Sequence, residues 1–331
     1  MAQIGGHIST ERQVRLAFLG YLGVCLIWGT TYFAIKVGVK SVSPWLLAGV
    51  RFLVAGAVLI VAARLAGQRL PRGAEWTRLT IVALLLLCVS NGCVVWALQY
   101  VDSGVGALVI ATLPIFTMGW LAVGGQRPTL MSVAGVLIGF AGLAIIFWPH
   151  SGVSATHPRY ALGVAALLLA PVTWSLGSVY AQRRPVSVPP LMRVAVQSLV
   201  GGALMTVLGL IVAGRAGFAP AREAWIALAY LIVFGSIIGY GSYIYAIEHL
   251  SATLVSTYTY VNPVVALAIG SWYGGERLDA RLLVGAVVML VGVVLVNRTL
   301  ASARTPPPRA SIDSNGEARE PALVGPLRER C

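Results

Sequence analysis

ALQYVDSGVGALVIATLPIF, residues 97–116, and AIEHLSATLVSTYTYVNPVV, residues 246–265, are two versions of one text. Laid over each other, they bring Pro114 onto Pro263. After one extra residue in the second version, GGQRP at Gly124 meets GGERL at Gly274, and Gly135 and Gly142 meet Gly285 and Gly292. Upstream, Trp28 and Trp174 take matching places. The chain is built from two similar halves offset by about 150 residues.

Composition says what each half is made of. Of the 331 residues, 58% are hydrophobic and 11% charged; a soluble domain carries roughly 25% charged residues. Such a chain cannot clothe itself in water and belongs in a lipid bilayer. A helix needs about 20 apolar residues to cross a hydrocarbon core of about 30 Å. Windows of that length recur at 15–37, 45–65, 79–100, 104–123, 130–149, 161–181, 191–213, 224–247, 252–272 and 280–297. The joints between them, among them SVSP, GQRLPRG, HSGVSATHP, RRPVSVPP and GGERLD, carry turn-forming residues, with the tightest at Asp102 and Ser251. Arg12 and Arg15 precede the apolar stretch of the first window, yet its length exceeds the apolar region of a signal peptide and more spans follow.

The expected fold is an all-α integral membrane protein of ten transmembrane helices. A tail at 1–14 precedes a five-helix repeat at 15–149; a second repeat at 161–298 precedes a disordered tail at 299–331, rich in Pro, Arg, Glu and Ser. An odd number of spans per repeat makes the two copies enter the bilayer in opposite directions. Secondary transporters use that inversion to hold a site near the midplane; plain duplication in a structural membrane protein is the competing reading.

The net charge of +13 raises nucleic acid as a partner, so the placement of the bases decides. With the N-terminus inside, the inner loops and tails hold Arg12, Arg15, Arg64, Arg69, Arg72, Arg78, Arg127, Arg183, Arg184, Arg193 and Arg298, and the outer side holds fewer. That asymmetry puts both termini in the cytoplasm of an inner (plasma) membrane protein and leaves no basic stripe for nucleic acid. Cys25, Cys88, Cys93 and Cys331 form no framework, and His7, His150, His157 and His249 lack ligand spacing. No metal or cofactor is expected.

LIWGTTYFAIKVGV at 26–39, SPWLLAGVRF at 43–52, the paired Pro114 and Pro263 segments and the GGQRP and GGERL joints resemble the EamA-type drug/metabolite transporters. The resemblance runs from residue 16 to about 298. It implies ten helices, both ends inside, and a central cavity; within the superfamily the chain resembles the amino-acid exporters, aromatic ones included.

The polar residues inside the spans are the candidate site. Pro263 cannot donate to the carbonyl of Thr259, nor Pro114 to that of Ile110, so both helices should break or loosen there. Freed backbone is tolerated at membrane depth only inside protein or against a wet cavity. Tyr258 and Asn262 are four apart and share a face, with Ser256, Thr257 and Tyr260 on adjoining ones. Helix-to-helix hydrogen bonding is one role for such groups and lining a substrate path the other. Tyr240 and Tyr243, Asn91, which aligns with Tyr240, Thr112, and the pair Trp28 and Tyr32 against Trp174 complete the set. Trp45, Trp76, Trp148, Trp225 and Trp272 read as interfacial anchors.

Lys36 and Arg51 stand apart as charges near or within spans. Lys36 is expected to snorkel to the outer surface. Arg51 has three options: Asp102, backbone carbonyls, or a substrate carboxylate. No acid falls mid-span, which disfavours a proton-coupled pump for lipophilic cations. Gly135, Gly139 and Gly142 form a small-residue seam that joins either the two halves or a second protomer. A membrane enzyme is the rival from another class; the chain has no Walker loop, no GxSxG elbow and no HExxH helix. The expectation is a non-enzymatic carrier exporting small metabolites, amino acids first, with multidrug, sugar or nucleoside transport as the alternative. Its partners are a small-molecule substrate and the lipid bilayer, and it works as a monomer or homodimer.

Overall fold

The computed structural model describes residues 11–125, 127–147, 158–214, 217–250, 255 and 258–302. The helices, in chain order, are α1 (Glu11–Gly38), α2 (Pro44–Leu65), α3 (Ala74–Ala97), α4 (Ser103–Val123) and α5 (Leu130–Phe147). The second half supplies α6 (Tyr160–Arg183), α7 (Pro190–Ala213), α8 (222–249), α9 (Tyr258–Gly274) and α10 (Ala280–Ser302). Among the described residues no strand forms; Val42 and Phe218 make a single isolated antiparallel bridge. Within the described residues, eight of these helices, all but α5 and α9, are long and apolar enough to cross a membrane.

The termini differ from expectation. Residues 11–14, expected in the tail, already belong to α1, with Arg15 reaching back one turn to Glu11 at 2.6 Å. Residues 299–302 likewise continue α10. The remaining tail residues, Ser251, Ser256, Thr257 and Trp148, and the joint carrying His150 and His157, lie outside the described residues.

The two copies run in opposite directions, and the joints show it. At one end of the bundle the α1–α2 joint meets the α7–α8 joint: Ser43 donates from its backbone to the carbonyl of Gly217 at 2.8 Å, and Ala221 to the Ser41 hydroxyl at 3.1 Å. At the other end the α2–α3 joint meets the α6–α7 joint, through Arg69 on the Ser187 carbonyl at 3.0 Å and Arg78 on the Pro185 carbonyl at 2.9 Å. The first joint of one half thus sits beside the second joint of the other at both ends. Packing repeats the same rule: α1 lies on α8 and α9, while its counterpart α6 lies on α3 and α4.

Two close pairs tie the halves together, α2 with α7 and α5 with α10. In lipid, helices associate mainly through van der Waals fit, which small residues improve. A Cβ on Gly135 would stand 2.8 Å from the carbonyl oxygen of Gly292, and one on Gly56 would stand 2.7 Å from the backbone nitrogen of Leu199. Of the two partners open to the glycine seam, it joins the two halves.

Two helices are wound more loosely midway. α3 passes from Ala74–Ala83 through a π-helical segment, Leu84–Asn91, into Gly92–Ala97. α8 does the same, through Leu231–Ile238 between Arg222–Tyr230 and Gly239–His249. These are corresponding helices of the two repeats, and π-turns concentrate at functional sites. α4 breaks outright into Ser103–Ile110 and Leu113–Val123, just before Pro114 as the ring's clash requires. α9 carries Pro263 without interruption in its helical span.

Candidate functional site

Between the halves lies a cavity of about 120 Å³. Its walls come from α1 (Trp28, Thr31, Tyr32), α2 (Arg51, Phe52), α3 (Ser90, Asn91), the broken stretch of α4, α6 (Pro171, Trp174), α8 (Gly235, Tyr240) and α9 (Tyr258, Thr259, Asn262). Every loosened backbone segment contributes, in keeping with the rule that irregular backbone at membrane depth faces protein or a cavity.

Trp28 is the hub of one wall. Its ring stands edge-on to Tyr240 at 5.4 Å and to Tyr258 at 5.2 Å, and lies tilted against Tyr243 at 5.4 Å. Edge-to-face contacts of this kind suit the ring quadrupoles. Its indole N–H donates to the carbonyl of Gly235 at 3.1 Å, so a carbonyl in the loosened segment of α8 is taken by a side chain from α1.

Of the residues expected here from sequence, Trp28, Tyr32, Asn91, Trp174, Tyr240, Tyr258 and Asn262 share the cavity. Tyr243 stands behind them against Trp28 and Tyr258, in a cluster with Tyr21 and Cys25. Thr112 is fully buried at the break in α4, its hydroxyl donated to the Val109 carbonyl at 2.6 Å, and it is not part of the wall. Tyr260 packs with Ile115, Val293 and Val296. Asn262 has a structural bond as well: with its amide oriented to satisfy its neighbours, its nitrogen donates to the carbonyls of Cys25 at 2.9 Å and Tyr258 at 3.2 Å, tying α9 to α1. Trp45 is half-buried and packs near Gly92 beside the core, whereas Trp76, Trp225 and Trp272 are exposed.

Pro171 escapes the sequence reading, although LLLAPVTW places a helix breaker in an apolar run. It lies inside α6 and lines the cavity. Neighbouring helices donate to the carbonyls beside it: Ser90 to that of Ala170 at 2.7 Å and Trp120 to that of Val172 at 3.1 Å.

Lys36 does not snorkel. Its ammonium pairs with Asp102 and, at 3.0 Å, with Glu276, whose side chain is 5% exposed. Glu276 also accepts from the backbone and hydroxyl of Ser103 at 2.8 and 2.7 Å and from the backbone of Gly104 at 3.1 Å, capping the N-terminus of α4. Burial pushes this carboxyl up, but Lys36 and the donors of Ser103 and Gly104 outweigh it and hold the group below its usual range. The clasp joins the first half to the second one helical turn beyond Ala107 and one residue beyond Ile35, both of which line the cavity. A hint was legible: GGERL carries an acid where GGQRP does not.

Arg51 is buried and donates through Nε to the Ser236 hydroxyl at 2.9 Å. Asp102, one of its candidate partners, is taken by Lys36. Among the described residues no cluster of His, Cys, Asp or Glu could hold a metal ion.

Comparison with known proteins agrees with this architecture. The model of the EamA-like transporter family matches twice, at residues 15–148 and 161–298. The inner membrane transporter YedA of Escherichia coli K12 is 35% identical over 296 residues, which is 88% of this chain and 95% of that protein. The transporter YvbV of Bacillus subtilis is 26% identical over 87% of this chain and 92% of its own. A probable terminal-alkyne amino-acid exporter of Streptantibioticus cattleyicolor is 29% identical over 82% of this chain and 90% of its own. A protein of known crystal structure, 24% identical, superposes on 90% of this chain and 100% of its own with a TM-score of 0.59, and so shares the fold. Two family matches covering both halves, and relatives named as inner membrane transporters along nearly their whole length, make this a multi-pass membrane transporter: the chain belongs to the EamA-like transporter family.

Proposed function

We propose that this protein is a secondary carrier that exports small metabolites, amino acids foremost, by alternating access. The observation that carries the proposal is the cavity between two oppositely directed halves, lined by aromatic rings, amides and hydroxyls and clasped shut at one end by Lys36, Asp102 and Glu276. A carrier must release such a clasp to let solute leave, and rocking one half against the other does so. In this reading α5 and α9 cross the bilayer with the other eight helices, both termini are cytoplasmic, and the clasp lies on the outer side.

The substrate proposal draws support from a relative named as an amino-acid exporter and from the lining itself. None of the described wall residues is an Asp or Glu, which fits neutral, zwitterionic or anionic solutes better than lipophilic cations. Counterflow into proteoliposomes of the purified protein, run against radiolabelled amino acids, sugars, nucleosides and organic cations, tests this. Saturable exchange of an amino acid supports the proposal; exchange of organic cations alone overturns the substrate, and no exchange of any solute overturns the carrier.

A further inference from the structure

Among the described residues the charge on Arg51 has no carboxylate counter-ion. The residue is 6% exposed and sits in the cavity wall. Among the described residues its hydrogen bond is from Nε to Ser236, its Cζ lies 4.9 Å from the centroid of the Phe52 ring, and no protein acceptor meets the two terminal nitrogens of the guanidinium. They lie against Gly235, where a Cβ would stand 3.1 Å from one of them, so the missing side chain there keeps the fork clear.

A buried charge without a partner is costly, and in a membrane span such a group marks a site where something else supplies the partner. A planar fork with two free arms matches a carboxylate in bidentate fashion. The same cavity wall carries the joined rings of Trp28, Tyr240 and Tyr258.

We infer that Arg51, steadied by Ser236, receives the carboxylate of a solute whose apolar or aromatic body lies against Trp28, Tyr240 and Tyr258. This rests on the carrier reading of the same cavity and narrows it. The carboxylate is what the site requires; an amino group is not. Aryl-alkyl acids therefore bind with or without an amine, and the corresponding amides and amines bind poorly.

Titration calorimetry on the full-length protein in detergent, with L-phenylalanine, 3-phenylpropionate, L-phenylalaninamide and phenethylamine as probes, tests the assignment. Both acids should bind at least about tenfold more tightly than the amide and the amine, the scale of one charge-assisted pair. Arg51→Gln should abolish that preference, Arg51→Lys should keep part of it, and Ser236→Ala should weaken acid binding severalfold without reversing the order. Because the preference is read on the wild-type protein, failure of a variant to fold does not remove the test. A wild-type protein that binds the amine or amide as well as the acids, or binds neither acid, overturns the inference, as does a folded Arg51→Gln protein with an intact preference. Counterflow of a solute without a carboxylate would leave the carrier standing while sinking this assignment; preferential acid binding with no counterflow would do the reverse.

Discussion

Trp28 shows how much one residue can organise. Its ring touches three tyrosines and its N–H holds a carbonyl of the loosened α8 segment. Trp28→Phe keeps an aromatic face and loses the bond to Gly235, so counterflow should fall severalfold; Trp28→Ala, which also removes the face, should fall further. Asn262→Ala deletes an amide that ties α9 to α1, at about 0.6 kcal/mol for each interhelical hydrogen bond in a membrane. It should lower Tm slightly, leave insertion intact and impair transport, as should Tyr240→Ala; unchanged flux in both would remove them from the site. At this scale the sequence was informative where a polar or aromatic group stood in an apolar run. Trp28, Asn91 and Asn262 announce themselves that way. Thr112 does so too, yet its hydroxyl is spent on its own helix, a local bond that periodicity does not reveal.

Elements carry the next set of effects. The clasp joins α1, the start of α4 and the joint after α9, and Glu276 is its centre. A carboxyl held below its usual range contributes stability at neutral pH and loses it as pH falls through that lowered value. Glu276→Gln at neutral pH should therefore behave as the wild type does in acid. In a cysteine-free background, a thiol placed at Ala107 should react faster with a small maleimide when the clasp is weakened by either route; equal rates would show that the clasp does not close this end. The extra acid in GGERL was legible but its partners were not, because the clasp depends on a loop acid meeting a helix start 173 residues away. The loosened turns of α3 and α8 were equally hidden, since a π-helical segment has no composition of its own. Pro114, by contrast, announced the break in α4 outright. In the α5–α10 seam, Gly292→Leu would drive a side chain into the backbone of Gly139 and Gly135. Overpacking of that kind costs about 1–3 kcal/mol, so Tm should drop clearly, while the same change at the open Gly119 should not matter.

The architecture of the whole molecule was the most legible of all, because repeats and hydropathy are written along the chain rather than across it. The doubled text of residues 97–116 and 246–265 forecast two copies, and the meeting of the α1–α2 joint with the α7–α8 joint realises their inversion. Helix runs about one turn past the repeat bounds at each end, from Glu11 in α1 and to Ser302 in α10. Everything functional depends on the space between the halves being wet and reachable. Position 259 faces that space and position 264 on the same helix faces outward, with Val264 58% exposed. The direct measurement is the reaction of Thr259→Cys and Val264→Cys, each in a cysteine-free background in membranes, with a water-soluble maleimide. The cavity predicts rapid labelling at 259, slowed when the solute is present, and little at 264; labelling at 264 with protection at 259 would contradict it.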